Sequence, residues 1–145
     1  MQARDTARRD VNENVEKLRV WLKTWDLEAL IRGEIDFSFV DPDVTYEDAI
    51  LPDHAGEVYR GQQALIHAAQ VWLGPYETFS LGLERILDAG DCVVSIHRFR
   101  ARARHTGIEF EEPLAWLFTL RAGKIIRWRA YRSADEALEA AEPGE

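Results

Sequence analysis

SIHRFRARARHTGIEFEEPLAW, residues 95–116, alternates more cleanly than any other stretch of the chain. Arg98, Arg100, Arg102 and Arg104 share one parity, and His97, Phe99, Ala101 and Ala103 share the other. A period of two places those sets on opposite faces of a strand. His105-Thr106-Gly107 interrupts the pattern with turn chemistry, and the alternation then resumes, so the stretch reads as a β-hairpin. A two-residue Thr106-Gly107 turn would set Arg104 opposite Glu109, Arg102 opposite Glu111, Phe99 opposite Leu114 and His97 opposite Trp116. The arginine face then reads as a solvated surface balanced by glutamates. The other face is apolar, with one histidine.

Working outward, the same period extends over strands at about 78–88, 92–104, 109–121 and 124–132, separated by AGD, HTG and AGK. Upstream the period is helical. Val11, Val15, Leu18, Leu22 and Trp25 recur at three- and four-residue steps, and Asp26 has the chemistry of an N-cap for a second helix. A strand at 44–49 follows DPD, and LPDHAGEVYRG reads as a loop. Gly61 then leads into a third helix ending near GPY, and SADEALEAAE closes the chain as a fourth, with Ser133 or Asp135 near its N-cap. We expect a frayed segment at 1–10, one domain over 11–141 and a tail at 142–145. The order specifies an α+β fold: a cone-shaped, curved, mostly antiparallel sheet covered on one face by N-terminal helices.

The chain has 145 residues, enough for one core, with 46% hydrophobic and 30% charged residues. Its formal charge of −8 makes nucleic acid a poor partner. No apolar run reaches membrane-spanning length, and the charged start lacks a secretory h-region. Cys92 is the single cysteine, which excludes an intrachain disulfide and fits the cytoplasm.

In VTYEDAILP, residues 44–52, Tyr46 and Asp48 share the parity of Val44 and are expected to face the core. Together with His97 they are the candidate catalytic residues. Desolvation among aromatic rings suits the Asp48 carboxylate to general-base work, with His97 and Tyr46 assisting. Trp116, Trp128, Phe99, Leu114, Phe118, Trp72 and Trp25 are the candidate substrate-binding residues. An apolar floor with a few polar groups is the usual composition of a small-molecule site. The bland readings are a strand-end carboxylate and a satisfied core histidine. Asp48, Asp53, His54 and His97 lack metal-ligand spacing, so we expect no metal and no cofactor. Ser95 shares a face with His97, but no third member completes a serine triad.

DPDVTYEDAI…GEVYRG, LDAGDCVVSIHRFRARA and AWLFTLRAGKIIRWRAY…EALEAA resemble the nuclear transport factor 2-like superfamily, and within it the bacterial SnoaL-like proteins. The resemblance runs from about Val11 to the C-terminal helix. It implies the cone fold and a pocket, and it is compatible with isomerases, dehydratases, cyclases, epoxide hydrolases and non-catalytic binders. Asp48 falls where ketosteroid isomerases keep their proton-transfer aspartate, whereas their oxyanion donors fall at Leu18 and at Ala115 or Trp116. Limonene epoxide hydrolases match at Tyr46 and Trp128, but their catalytic carboxylates fall at Phe99 and Ala130. His97 resembles the third-strand histidine of scytalone dehydratase, whose second histidine falls near Ala115. The fourth-strand acid of SnoaL-type cyclases falls among apolar residues.

Three functions compete: a cofactor-independent isomerase, dehydratase or cyclase with Asp48 as base; a binding module for an apolar metabolite; and a dimeric scaffold whose cone is filled by side chains. A homodimer is expected through the outer sheet face, where Val94, Ile96, Leu117 and Ile125 form an apolar strip.

Overall fold

The computed structural model describes residues 13–50 and 57–141. The expected frayed start, the loop bearing Asp53 and His54, and the C-terminal tail lie outside these residues. Helix α1 covers residues 13–22 and buries Leu18 and Trp21. The Trp21 indole is fixed by donating Nε1–H to the Asp36 carbonyl at 2.9 Å. The helix stops at Leu22, so Trp25 lies in the connection to α2 (Leu27–Ile31). Asp26 caps α2 as anticipated, its Oδ1 accepting from the Ala29 N–H at 2.8 Å. A single 3₁₀ turn, Phe37–Phe39, precedes the first strand.

Six strands make one sheet: β1 (Val40–Asp48), β2 (Val58–Arg60), β3 (Tyr76–Ala89), β4 (Cys92–Ala103), β5 (Glu109–Arg121) and β6 (Lys124–Tyr131). Their spatial order is β2-β1-β6-β5-β4-β3. Only β1 and β6 run parallel. Helix α3 (Gln62–Leu73) packs with α1 and α2 over the inner face, burying Leu65, Ala68, Ala69 and Leu73. Helix α4 (Ala134–Ala141) is capped by Ser133, whose Oγ accepts from the Glu136 N–H. Among the described residues, no helix is long and apolar enough to cross a membrane.

Four details differ from the sequence expectation. The hairpin connection is longer than two residues: Ala103 N–H bonds the Ile108 carbonyl, Gly107 sits at φ 69°, and Arg104 N–H bonds Pro75. The register is therefore displaced by two, with Arg102 opposite Glu109, Arg100 opposite Glu111, His97 opposite Leu114 and Ser95 opposite Trp116. A shift of two leaves the faces unchanged. Second, VYR within the expected loop is β2, placing Tyr59 opposite Tyr46. Third, a bulge between Thr119 and Leu120 turns Ile125 inward, where it is fully buried in the inner core.

The fourth difference concerns the strip expected to meet a second copy. Cys92, Val94, Ala115 and Leu117 are buried beneath Ala137 of α4, with Ile96, Leu138 and Ala141 half-buried around them. Helices thus cover both faces of the sheet, and the chain covers its own outer strip.

Candidate functional site

Inner-face side chains form rungs across the sheet. One runs Tyr46–Trp128–Phe118–Val93, the next Asp48–Ala130–Trp116–Ser95. Alternation therefore delivers Tyr46, Asp48, His97, Phe99, Leu114, Trp116, Phe118 and Trp128 to the buried side. Above them Trp21 and Trp25 close the cone. Ring centroids lie 5.0 Å apart for Trp21–Trp25, 5.8 Å for Trp21–Trp128 and 5.0 Å for Trp116–Trp128. Trp25 stacks on Trp116 at 6.1 Å, and Phe118 meets Trp128 at 5.0 Å. The aromatic residues expected to line a pocket mostly fill it.

Between these rings and His97 lies a cavity of about 70 Å³, bounded by Leu22, Trp25, Asp26, Leu27, Leu81, Leu83, His97 and Trp116. That is under half the ~150 Å³ of an engineered cavity that takes benzene. His97 is 2% exposed, and its Nε2 lies 2.7 Å from Ser95 Oγ. Burial pushes the imidazole pKa down to about 3, so the ring is neutral over the physiological range. Its ring meets Trp116 edge-on at 4.6 Å.

Asp48 is 7% exposed and ends β1. Its Oδ1 accepts the Ile50 N–H at 2.7 Å, which turns the chain out of the sheet. Two phenols flank it: Tyr46, 6.1 Å from Tyr59 between ring centroids. Both are held protonated, above the ordinary tyrosine range, first by desolvation and then by nearby carboxylates including Asp48. Asp48 and His97 do not share a rung. The Asp48 rung crosses β6 and β5 and meets β4 at Ser95, a path of about 14 Å along the sheet. Trp116 stands on that path.

Cavities of comparable or larger volume lie on the outer arginine face and beside Trp21 and Phe39, but the ligand-sized cavity that opens on the inner face lies at the mouth of the cone. A cavity of about 430 Å³ is lined, among the described residues, by Ile50, Trp72, Phe99, Glu112, Pro113, Leu114 and Arg132. Trp72 packs on Phe99 at 5.0 Å and Tyr76 meets Phe99 edge-on at 5.6 Å, making an aromatic wall. Arg132 Nη2 donates to the Ile50 carbonyl at 2.9 Å. Glu112 lies opposite Phe99 of this wall, and the Tyr76 phenol is pushed up by desolvation and then by that carboxylate. Of the expected binding residues, Phe99, Leu114 and Trp72 are here, while Trp25, Trp116, Trp128 and Phe118 belong to the packed interior. Glu112, Arg132, Ile50 and Tyr59 were not anticipated. Continuing the parity of Leu114 back to Glu112, and of Ala130 on to Arg132, finds the two charged ones.

Three of the four hairpin arginines on the outer face are paired with glutamates, and Arg104 donates to the Gly74 and Tyr76 carbonyls. Arg100 pairs with Glu111 at 2.7 Å, Arg98 with Glu84 and Glu111, and Arg102 with Glu77 and Glu109. Among the described residues no group of three His, Cys, Asp or Glu side chains could hold a metal ion.

A SnoaL-like domain model matches residues 22–128. Comparison with curated proteins gives no match. A putative SnoaL-like polyketide cyclase from Jannaschia sp. CCS1 superposes with a TM-score of 0.63 at 19% identity, covering 92% of this chain and 94% of that one. A nuclear transport factor 2-like protein of unknown function from Burkholderia pseudomallei K96243 gives 0.64 at 15%, covering 87% and 95%. A hypothetical protein of ketosteroid isomerase-like fold from Catenulispora acidiphila DSM 44928, solved in complex with trimethylamine, gives 0.56 at 19%, covering 72% and 77%. At these identities the structures share the fold. With the family model spanning most of the chain, and with this sheet order and cone, the chain belongs to the SnoaL-like domain family within the nuclear transport factor 2-like superfamily.

Proposed function

We propose that the chain is a small-molecule-binding protein whose ligand sits in the mouth cavity, its apolar body against Trp72, Phe99 and Leu114. The observation that carries this reading is the partition of space. The cavity between Trp25, His97 and Trp116 holds about 70 Å³, and the mouth offers about 430 Å³ with an aromatic wall. The trimethylamine complex of the Catenulispora protein supports small-molecule binding on this fold. The test is titration of the protein with 3-phenylpropanol, a neutral one-ring probe, followed through the Trp72 indole resonance. The expected result is a saturable shift at Trp72 that is lost in Leu114→Trp, where the larger ring fills the cavity. No shift at Trp72, or one that survives Leu114→Trp, refutes the reading.

A catalytic reading rests on Asp48. The carboxylate is buried at the end of β1, two residues before Ile50 of the mouth wall, with two protonated phenols beside it. Asp48 would take a proton from a bound substrate, and Tyr46 would donate a hydrogen bond to the charge that develops. His97, neutral and turned to Ser95, would act through packing rather than charge. A general base supplies roughly 10²–10⁴ in rate, so Asp48→Asn must lower turnover by at least tenfold on any substrate found. Turnover within tenfold of wild type removes Asp48 from that role. As for a homodimer, the apolar strip is covered by α4, so a second copy would dock on the ionic surface of β3, β4 and β5. Sedimentation at micromolar concentration decides it, and a monomer refutes the dimer.

A further inference from the structure

We infer that the mouth cavity is suited to a zwitterion: an ammonium and a carboxylate carried on a small apolar body. The inference rests on the binding reading above and adds the chemical class of the ligand. Among the described residues the lining is apolar except for two side chains of opposite charge, Glu112 and Arg132.

Among the described residues, neither meets a side chain of opposite charge. On the same hairpin Glu109 and Glu111 each meet an arginine, as Glu77 and Glu84 do from β3. Glu112 points to the other face and, among the described residues, has no ion-pair partner. Arg132 donates to a neutral carbonyl, that of Ile50, and among the described residues it has no ion-pair partner. The two do not form a salt bridge with each other. Tyr131 is the last residue of β6 and lies opposite Ala115, so Arg132 follows at the level of Leu114. Glu112 is two residues farther along β5, about 7 Å away. That interval keeps the charges apart and leaves room between them for a ligand.

The two ends are also chemically distinct. Glu112 stands opposite Phe99 and beside Tyr76, against the wall made with Trp72. A carboxylate beside aromatic rings favours an ammonium, which gains from the ring faces as well as from the charge. Arg132 stands at the Ile50 side with guanidinium N–H groups available for a carboxylate. The chain's net charge of −8 gives a lone anion no general attraction, so Arg132 is the local feature that admits one.

The experiment is calorimetric titration of the full chain with four probes sharing one ring: L-phenylalanine, 2-phenylethylamine, 3-phenylpropionate and 3-phenylpropanol. Phenylalanine is expected to bind about fivefold more tightly than either singly charged probe, the upper range for a solvent-exposed ion pair. Glu112→Gln is expected to erase the advantage over 3-phenylpropionate. Arg132→Gln is expected to erase the advantage over 2-phenylethylamine, and Arg132→Lys to retain most of it, which separates charge from local structure. If 3-phenylpropanol binds and phenylalanine binds no better, the zwitterion is refuted and the binding reading stands. If none of the four binds, both fall.

Discussion

Acidification should unfold this protein through His97. The imidazole is 2% exposed, and burial lowers its pKa from 6.5 to about 3. In the unfolded chain it protonates near 6.5, while in the folded chain it stays neutral down to about 3. Between those values the unfolded state binds the extra proton, so stability falls as pH falls. With the two pKa values, the linked free energy is about 0.2 kcal/mol at pH 7 and about 2.7 kcal/mol at pH 4.5. Wild type therefore loses about 2.5 kcal/mol through this group over that interval. Carboxylates titrate there too, so the measurement is a difference. His97→Gln keeps a hydrogen-bonding group toward Ser95 and removes the titration. Urea unfolding of both proteins at pH 7.0 and 4.5 should show wild type losing about 2.5 kcal/mol more than the variant. In the folded wild type the His97 Hε1 resonance should not titrate above pH 4.5. Equal losses in the two proteins, or a folded-state midpoint near 6.5, would refute the reasoning.

Asp48→Ala removes the acceptor of the Ile50 N–H and should cost about 1–2 kcal/mol, whereas Asp48→Asn keeps an acceptor and should cost less; urea unfolding at pH 7 compares them. Leu117 is fully buried under α4, so Leu117→Ala should cost about 2–5 kcal/mol by the same assay. Ala137→Asp places a charge in that seam and should expose the strip, detected as binding of an apolar dye above the wild-type level. Gly123 has φ 77°, and a Cβ there would meet only Lys17 Nζ at 3.9 Å. Gly123→Ala should therefore cost about 1 kcal/mol in unfolding free energy, from backbone strain alone.

The inward set of β1, β4 and β5 was legible because period-two alternation survives a register error of two. His97 and Phe99 face the core whether the turn holds two residues or five. The register was not legible, since it depends on the loop from Arg104 to Ile108 and on Pro75, which takes the Arg104 N–H. VYR is too short to show a period, so β2 and Tyr59 were missed. Trp21 was passed over because its anchor, the Asp36 carbonyl fifteen residues away, has no signature in the pattern. The outer strip was read correctly at Val94 and Leu117 as apolar. Its covering was not read, because strand sequence says that a face needs covering and not by what. The spacing of Ala137, Leu138 and Ala141 carried that information in α4.

The mouth cavity follows from unequal strand lengths. Strand β5 has 13 residues and β6 has 8. Pairing between them ends at Ala115–Tyr131, so residues 109–114 of β5 run on without a β6 neighbour. The inner face there loses one wall, and the space is bounded instead by Trp72 from α3, Ile50 after β1 and Arg132 after β6. Deeper in, where all strands are paired, the rungs close on tryptophan. That packing is dense enough to leave the indole N–H groups of Trp25 and Trp128 without a protein acceptor. Such donors cost about 1–3 kcal/mol each, a penalty tolerated only where the burial around them is large. Pro113 marks the boundary. A proline has no N–H to give a neighbour and sits in sheets where pairing has run out. In EFEEPLAW the residue before it, Glu112, is the exposed polar end of the overhang, and the one after it, Leu114, is the buried apolar end. The position of that proline is thus the sequence feature that locates the mouth.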